Sequence, residues 1–593
     1  MTEQTRRIPK GGAFLLETVE PSDVFTPEDF TDEHKMIAKT TSDFIHGEVA
    51  PHIDRLEHQD WELTVRLLRQ AGELGLLAAD VPEEYEGLGM DKISSTLISE
   101  YITRGGAFAL SHGAHVGIGS LPIVIFGNEG QKQKYLPKLA SGAWISAYAL
   151  TEPGSGSDAL GARTTAVLSA DKTHYVLNGS KQFITNAGFA DIFIVYAKID
   201  GEKFTAFIVE RTFKGVSTGP EEKKMGIKSS STRPLILEDV HVPVENVLGE
   251  IGKGHVIAFN ILNIGRYKLA AGAVGAAKAA LEASASYANE RKQFGRPIAS
   301  FPLIQQKLAE MNIQTFLAES MVYRTTGEIE TMLNSLAEKG LAAGADVAKG
   351  IAEYAIECSI NKVFGSEALD FVVDEGVQIH GGYGFIQEYA IERMYRDSRI
   401  NRIFEGTNEI NRLLIPGTLL KKAMKGELDL HGAAKALQAE LMGMMPPFEG
   451  DRLLEQERHM LSMAKKVVLF TGGLAIQTFG PKLEQEQELL SNLADMMIQI
   501  YALESALLRA QKLHGRHPAK AELQVIMVQI FAQSMIERID TLAKTILAAV
   551  AEGDNLRAQL AILKKLTRYT PIHTVALKRK VANAVILAQK YVC

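Results

Sequence analysis

The 593-residue sequence contains very little cysteine, only Cys358 and the last residue, Cys593. Two thiols cannot build a disulfide framework or a cysteine-based zinc or iron–sulfur site, and their scarcity fits a reducing compartment. An excess of positive charge is also absent, since 64 Lys and Arg face 71 Asp and Glu, a net charge of −7. Nucleic-acid binding needs a basic surface that neutralises phosphates, so this composition argues against a nucleic-acid partner.

Long apolar runs are missing too. No uninterrupted run reaches the length of roughly eighteen residues that a transmembrane helix needs, and the N-terminus lacks the apolar segment of a signal peptide. We therefore expect no transmembrane helix. A cytoplasmic location is predicted, and peripheral contact with a membrane is left open.

What the sequence does contain is a change of pattern along its length. Apolar residues recur at helical spacing from Thr31, a candidate N-cap, and short alternating segments joined by turns follow from about Trp144. Helical spacing returns at about Gly254. The predicted class is α+β and mostly α. Its parts are an N-terminal arm (1–28), an N-terminal α domain (29–145), a central antiparallel β domain (146–254), a helical bundle (255–425), a linker (426–455) and an extra C-terminal all-α domain (456–593).

Two segments of the predicted β domain are rich in turn-forming and polar residues. In YALTEPGSGSD, residues 148–158, Gly154 and Gly156 let the backbone approach a flat or phosphorylated ligand. An ordinary Gly/Ser loop accounts for the same pattern equally well. In QFITNAG, residues 182–188, an aromatic, a hydroxyl and an amide group at a strand end suit a flavin ring. Without context, a half-buried strand end is the better interpretation.

Two further segments lie in the predicted bundle. NERKQFG, residues 289–295, offers Arg291 for a pyrophosphate and Phe294 for an adenine, although cations before a glycine are also an ordinary helix end. In IFEGTNEI, residues 403–410, Glu405 is a lone carboxylate beside two apolar residues. Burial would raise its pKa towards that of a general base. A helix cap by Glu405 or by Thr407 explains the pattern equally well.

The order and spacing of these motifs decide between the interpretations. TEPGSGSD, FITNAG, RKQFG, QIHGGYGF and IFEGTNEI occur in an α–β–α arrangement that resembles the acyl-CoA dehydrogenase family over roughly residues 30 to 420. The added C-terminal helices narrow the resemblance to the very-long-chain branch. No GxGxxG motif follows a strand, so a Rossmann unit is not expected. The glycines at 272 and 275 lie in a helical pattern that favours close helix packing.

The resemblance implies FAD as cofactor and an acyl-CoA as substrate, with site residues at matching positions. The implied FAD-binding residues are Tyr148, Leu150, Thr151, Gly156, Ser157, Phe183, Ile184, Thr185, Arg291, Phe294, Gln378, Ile379, His380, Gly381, Gly382, Thr407, Asn408 and Glu409. The implied substrate residues are Ser157, Asn263, Arg266 and Gly406. Phe183 stands where the family often has tryptophan. Because Arg291 and Phe294 match residues that bind FAD from the neighbouring subunit, the resemblance implies a homodimer or a dimer of dimers.

Glu405 matches the family's catalytic base. In the isovaleryl-type branch the base instead directly precedes the arginine that corresponds to Arg266, and here that residue is Gly265, which cannot act. The implied reaction converts a long-chain acyl-CoA into a trans-2-enoyl-CoA: Glu405 removes the α-proton, a hydride passes to N5 of FAD, and electron-transfer flavoprotein accepts the electrons. The alternatives are an acyl-CoA oxidase that uses oxygen and a flavin-binding assembly protein with vestigial activity.

Two further segments, residues 112–119 and 557–590, have composition patterns that do not indicate one specific function. Small residues between His112 and Gly119 are expected to line the acyl channel, and because His112 and His115 have no third ligand nearby, no metal site is predicted. Residues 557–590 contain eight Lys or Arg and no Asp or Glu. A solvated basic face explains this segment better than contact with anionic lipid or a partner protein, which stays open.

Overall fold

The computed structural model describes residues 8–341, 344–442, 450 and 452–593. The N-terminal domain is helical, as predicted. Its first helix begins where the sequence indicates, because Thr31 Oγ1 accepts a hydrogen bond from the His34 N–H at 3.2 Å and so caps the helix. The helices are α1 (Asp32–Phe44), α2 (Ile53–Glu57), α3 (Trp61–Glu73), α4 (Lys92–Ile102), α5 (Phe108–Gly113), α6 (Leu121–Phe126) and α7 (Glu129–Ala140).

One stretch of this domain, Phe108–Phe126, is long and apolar enough to cross a membrane by length and composition, in a search of the described residues. It comprises α5, a short π-helix at Ala114–Ser120, and α6. The expectation from the sequence did not consider this stretch, because it rested on uninterrupted apolar runs and His112 and His115 interrupt this one. However, 72% of its apolar window is buried inside the protein, which is the environment of a core helix.

The central domain is a sheet with the strand order β6-β7-β3-β2-β4-β5-β8, and β1 also pairs with β4. Among the described strand pairs of this sheet, five of seven are antiparallel, but β1 and β2 lie parallel to β4. The structure departs from the antiparallel prediction at these two strands, because parallel pairing depends on long connections that local patterns do not reveal. The strands are β1 (Ser146–Ala149), β2 (Thr165–Leu168), β3 (His174–Thr185), β4 (Ile192–Ile199), β5 (Lys203–Glu210), β6 (Val216–Thr218), β7 (Thr232–Pro243) and β8 (Val247–Leu248).

The helical bundle is built around two long helices, α8 and α9, and α8 packs closely against α4 at a glycine. A Cβ on Gly275 of α8 would lie 1.8 Å from the carbonyl oxygen of Glu100 on α4, which confirms the predicted packing role of this glycine. The bundle contains α8 (Gly254–Glu290), a hairpin of β9 (Lys292–Gln293) and β10 (Arg296–Pro297), and the helices α9 (Pro302–Glu338), α10 (Gly344–Ala352), α11 (Ala355–His380), α12 (Ala390–Ser398) and α13 (Asn408–Met424).

The C-terminal helices share a core with the bundle. Phe316 and Ile360 of the bundle belong to the same buried cluster as Met497 and Met527 of the added domain, so the two are not separate packing units. The predicted linker at 426–455 contains a helix, and the proline-containing stretch that suggested it, 442–451, lies mostly outside the described residues. The helices are α14 (Leu430–Met442), α15 (Glu455–Phe479), α16 (Gln487–Arg516), α17 (Glu522–Val550), α18 (Gly553–Leu566) and α19 (Thr574–Ala588).

The described part of the N-terminal arm, residues 8–28, is docked between the bundle and the added domain. The Gly12 N–H donates to Glu357 Oε1 on α11 at 2.6 Å, and Phe14 packs edge-on against Tyr501 of α16 with ring centroids 5.0 Å apart. Arg509 of α16 donates to Glu28 Oε1 at 2.8 Å. The arm therefore fastens the added domain onto the bundle.

Candidate active site

Glu405 lies between α12 and α13, and its backbone conformation is unusual. Its φ is 58° and that of Gly406 is 81°, so two consecutive residues lie in the left-handed region. A non-glycine residue held there costs about 1–3 kcal/mol and is often found at functional sites. The cap of α13 is provided by Thr407, whose Oγ1 accepts the Ile410 N–H at 3.2 Å. Of the two capping candidates, the structure therefore selects Thr407 and leaves Glu405 available.

The carboxylate of Glu405 is directed at α8. A Cβ on Gly265 would lie 2.6 Å from Glu405 Oε2 and 2.9 Å from its Cδ, so only a glycine leaves room for the carboxylate. Oε2 is buried and has no hydrogen-bond partner among the residues that the structure describes. Positions 265 and 405 are the two positions from which a member of the family could provide the base. The structure places them in direct contact.

Two cations lie near this carboxylate. Arg266 Nε donates to the backbone carbonyl of Glu405 at 3.3 Å, and Lys362 Nζ on α11 donates to Asn408 Oδ1 at 2.6 Å. Burial raises the pKa of Glu405 to about 7, although Arg266 and Lys362 both act to lower it. Burial likewise lowers the pKa of Lys362 to about 7. A carboxyl group with this pKa can accept a proton near neutral pH.

Three of the four predicted substrate residues surround Glu405. Arg266 Nη1 donates to Asn263 Oδ1 at 2.8 Å, and both side chains are buried. Gly406 directly follows Glu405, and a Cβ there would lie 3.6 Å from Arg266 Nη2. The fourth, Ser157, is exposed in a loop of the β-domain.

A cavity of about 240 Å³ begins at Glu405 and runs along α8. The α8 residues that line it recur at spacings of three and four and so form one helix face: Gly265, Lys268, Leu269, Gly272, Ala273, Ala276 and Ala279. From Gly265 to Ala279 the face is about 21 Å long, at 1.5 Å per helical residue. Most of these side chains are small and apolar, as an alkyl chain requires.

The stretch expected to line an acyl channel does line this cavity, through His112, Gly113, Val116, Gly117 and others. His112 Nε2 bonds to the Leu76 carbonyl and His115 Nε2 to the Leu139 carbonyl, both at 2.9 Å. Burial lowers the pKa of both histidines to about 4. They are therefore neutral at physiological pH and serve as hydrogen-bonded core residues.

The β-domain brings its two predicted flavin segments together beside the cavity. The Gln182 N–H donates to the Thr151 carbonyl at 2.8 Å, which joins the loop after β1 to the end of β3. Thr185 lines the same cavity as Glu405. Phe183 is 62% exposed, so its ring is available to a ligand. Of the other predicted FAD-binding residues in these segments, Tyr148, Leu150 and Ile184 are buried, and Gly156 and Ser157 are exposed.

A buried ion pair that the sequence motifs did not reveal holds these segments in place. Lys181 Nζ lies 2.7 Å from Glu152 Oε1, and both side chains are almost fully buried. The same carboxylate accepts the N–H groups of Arg163 and Thr164 at 2.6 and 3.0 Å. The available signal was a carboxylate in TEPG and a lysine just before QFIT, two opposite charges on segments that the resemblance implies bind the same flavin.

The other predicted cofactor residues form a second cluster at the far end of α8. Arg291 lies twenty-five residues beyond Arg266, about 37 Å along the helix, and its guanidinium is 5.4 Å from the ring centroid of Tyr383. His380 stacks on Tyr287 with ring centroids 4.2 Å apart. Phe294 is 93% exposed. Gln378, Ile379, Gly381 and Gly382 belong to the same cluster at the end of α11. A single chain therefore does not bring all predicted cofactor residues together.

Both clusters leave room for a flat or phosphorylated ligand. Cβ atoms added to Gly154 and Gly156 in the first, or to Gly381 and Gly382 in the second, would meet nothing within 4 Å. The segment after the base is less open. Asn408 uses its side chain inside the chain, accepting from Lys362 and donating to Ser366 and Glu367, and Thr407 caps α13, whereas Glu409 is exposed. Contact of these three side chains with a cofactor stays a prediction.

Comparisons with known proteins cover nearly the whole chain. Models of the acyl-CoA dehydrogenase N-terminal domain match residues 31–143, of the middle domain residues 147–240, and of the C-terminal domain residues 252–420 and 463–565. A probable acyl-CoA dehydrogenase of Bacillus subtilis (strain 168) is 61% identical over 592 residues, 100% of both chains. The very long-chain specific acyl-CoA dehydrogenase, mitochondrial, of Homo sapiens is 39% identical over 478 residues, 75% of this chain and 70% of that protein.

The same similarity holds in three dimensions. The crystal structure of acyl-CoA dehydrogenase complexed with FAD from Bacillus anthracis has a TM-score of 0.98 at 61% identity, covering 99% of this chain and 100% of that one. The domain arrangement and the carboxylate at the cavity define a flavoprotein oxidoreductase. The chain belongs to the acyl-CoA dehydrogenase family, which confirms the resemblance seen in the sequence motifs.

Proposed function

We propose that the protein, with FAD as its cofactor, catalyses the α,β-dehydrogenation of long-chain acyl-CoA thioesters to trans-2-enoyl-CoA. The observation that carries this proposal is the Glu405 carboxylate, with a pKa of about 7, at one end of a long apolar cavity. Glu405 accepts the α-proton of the substrate as general base. When bound, FAD supplies the acceptor for the β-hydride.

The chain also contains groups that can stabilise the charge left on the thioester. Deprotonation at the α-carbon makes an enolate, whose oxygen needs hydrogen-bond donors. The Glu405 N–H makes no backbone hydrogen bond within the described chain, so it is free to donate. A preorganised donor of this kind contributes about 3 kcal/mol. Arg266, fixed by Asn263 and by the Glu405 carbonyl, keeps the base loop in place.

The length of the cavity supports a long-chain substrate. An extended alkyl chain advances about 1.25 Å per carbon, given a C–C bond near 1.5 Å and tetrahedral angles. The lining face of α8, about 21 Å long, therefore spans about sixteen carbons. Each methylene buried there contributes about 0.8 kcal/mol, which favours long chains over short ones.

The test is anaerobic bleaching of the purified yellow protein by acyl-CoAs of increasing length. We expect bleaching to be fastest with chains near hexadecanoyl, and the reduced flavin to persist until electron-transfer flavoprotein is added. Immediate reoxidation by air with formation of peroxide would instead identify an acyl-CoA oxidase. Failure to bleach with any acyl-CoA would favour a flavin-binding assembly protein with vestigial activity.

Gly113 provides a direct test of the acyl channel. It lines the cavity, and a Cβ on it would meet nothing within 4 Å, so a larger side chain would fill the channel without a clash. For Gly113→Leu we expect kcat/KM for hexadecanoyl-CoA to fall by about tenfold or more, since two displaced methylenes cost about 1.6 kcal/mol. The value for a short substrate such as butyryl-CoA should change little.

Gly47→Leu is the matched control, because Gly47 also lies in a helical segment with open space around its would-be Cβ, but on the surface. It should leave the chain-length profile unchanged. Equal losses for long and short substrates in Gly113→Leu would contradict the channel assignment.

The charge of Lys362 should affect the pH dependence of the reaction. Glu405 must be ionised to act, so activity should rise as pH increases through about 7, the pKa of Glu405. Because the positive charge of Lys362 lowers that pKa, Lys362→Met should move the acid limb of the kcat/KM profile to higher pH. Lys362→Arg should restore it, since arginine keeps the charge. A loss of activity without movement of the limb would assign Lys362 a purely structural role.

We propose that two chains assemble so that the second cluster of one completes the cofactor site of the other. The support is the separation of the clusters along α8 and the exposure of Phe294. Mixed dimers test this. The double variant Arg291→Ala/Phe294→Ala should lose FAD, and the variant Glu405→Gln should lose turnover. When the two variants are refolded together, half of the dimers are hybrids, and each hybrid has one intact site of two. The mixture should therefore recover roughly a quarter of the parental activity. No recovery would contradict a shared site.

We also propose a cytoplasmic location with a basic surface on α18 and α19 that contacts anionic membrane. The support is a group of exposed cations: Lys564, Lys565, Arg568, Arg579 and Lys590. The protein should co-sediment with anionic vesicles at low salt and be released from them at high salt. If the protein did not sediment with anionic vesicles, only a solvated basic face would remain, and equal sedimentation with neutral vesicles would show that the basic charges are not responsible for binding.

A further inference from the structure

The end of the cavity opposite Glu405 is not apolar throughout. Arg104, just after α4, and Arg393, on α12, both line it. Arg104 Nη1 donates to Glu282 Oε2 at 3.0 Å, and Glu282 lies three residues beyond Ala279, the last lining residue of α8. This end of the cavity is therefore about 21 Å from the base.

A glycine that lines the same cavity lies close to one of the two arginines. A Cβ on Gly106, two residues after Arg104, would lie 3.8 Å from Arg393 Nε. Gly106 has a φ of 64°, a conformation that glycine adopts without strain. The sequence at this position therefore leaves space beside the Arg393 guanidinium. Because Arg104 and Arg393 line the same cavity, we call them the distal arginine pair.

The hydrogen-bonding capacity of the distal arginine pair is largely unused. A guanidinium has five N–H donors. Arg104 uses Nη1 for Glu282, and Arg393 makes no hydrogen bond to any residue of the described chain, its electrostatic partner being Asp397. A methyl terminus gains nothing from such groups, because charged groups beside an apolar chain lose hydration without compensation.

We propose that the distal arginine pair binds a carboxylate at the far end of the acyl chain, so that the enzyme also accepts long α,ω-dicarboxylic acyl-CoA thioesters. The planar donors of arginine match the two oxygens of a carboxylate. Glu282 now presents a carboxylate to Arg104 in the way that such a substrate would. This inference rests on the proposed function, and the distance sets the best substrate at about sixteen carbons.

The chemistry at the thioester is the same for both substrate classes. The α-proton would pass to Glu405, FAD when bound would accept the β-hydride with its electron pair, and a Cα–Cβ double bond would form. The terminal carboxylate takes no part in these steps. The distal arginine pair is therefore a specificity determinant, and its effect should be confined to substrates that carry the second carboxylate.

The experiment compares kcat/KM for hexadecanedioyl-CoA and hexadecanoyl-CoA in the holoenzyme. We expect both to be substrates of the parent. Arg104→Met/Arg393→Met should lower the value for the dioyl substrate by about tenfold or more, as expected for loss of charge-assisted hydrogen bonds, while the value for hexadecanoyl-CoA stays the same or rises. Glu282→Gln should raise the value for the dioyl substrate, because it removes the competing carboxylate from Arg104.

Arg55→Met is the control, since it removes an arginine from an exposed ion pair with Asp60 in the same domain and should change neither value. The inference would be overturned if hexadecanoyl-CoA is turned over but neither the double variant nor Glu282→Gln alters kcat/KM for hexadecanedioyl-CoA. The proposed function would then remain intact. An equal fall for both substrates in the double variant would overturn it as well. Absence of turnover with either substrate in the parent would overturn the proposed function itself.

Discussion

Glu405→Gln should slow reduction of the bound flavin by hexadecanoyl-CoA by roughly 10²- to 10⁴-fold, the contribution expected of a general base. Glutamine has nearly the same shape as glutamate but cannot accept the α-proton. Because Glu405 Oε2 has no hydrogen-bond partner in the described chain, the exchange breaks no bond at that atom. FAD content and thermal stability should therefore be close to those of the parent. Rapid-mixing absorbance of the flavin is the measurement.

Glu488→Gln is the matched control, as it neutralises an exposed carboxylate on α16. The bound flavin of this variant should be reduced at the parental rate. If Glu405→Gln kept parental turnover with FAD bound, the proton would have another acceptor, and the assignment of the base would be wrong.

Gly265→Ala should have the second largest effect, although it adds only one methyl group. The new Cβ would lie 2.6 Å from Glu405 Oε2, closer than nonbonded atoms can approach, so the carboxylate must move. Misplacement of a reacting group by about 1 Å costs about 10²-fold in rate. Alanine is a better helix former than glycine, so we expect loss of turnover without loss of helix stability. Steady-state kinetics and thermal melting measure the two effects separately.

Two further variants make this prediction specific. Gly417→Ala adds the same methyl group on α13 where nothing lies within 4 Å, and it should be active. Combining Gly265→Ala with Glu405→Asp shortens the displaced side chain, so the two losses should not be additive, as for residues in direct contact. If the activity losses of the two substitutions were additive, the effect of Gly265→Ala would not arise from displacement of Glu405.

Most of the domain order was predictable because it depends on local patterns. Helical and alternating spacing located the four structured regions, and Thr31 was correctly identified as a cap. The parallel pairing of β1 and β2 with β4 was not predictable, since it joins segments separated by another strand. The helix in the predicted linker was also missed, because the prolines nearby dominated the interpretation.

At the site, motif order identified the family and led to the prediction of Glu405 as the base, but it did not reveal the groups that shift the pKa of Glu405 or hold it in place. Lys362 is a single lysine in the pattern of a buried helix, and only the fold brings it near Asn408 and the base. The pairing of Lys181 with Glu152 likewise joins two segments through space. The contact between Gly265 and Glu405 could be suspected from the two alternative positions of the base, yet its closeness required coordinates.

The docked arm has a consequence for biosynthesis. Glu28 is held by Arg509, 481 residues later in the chain. At a synthesis rate of about 5–20 residues per second, roughly half a minute to a minute and a half separates the emergence of these two residues from the ribosome. Until α16 has been made, Glu28 lacks the arginine that holds it, so this attachment of the arm can form only after most of the chain has been synthesised.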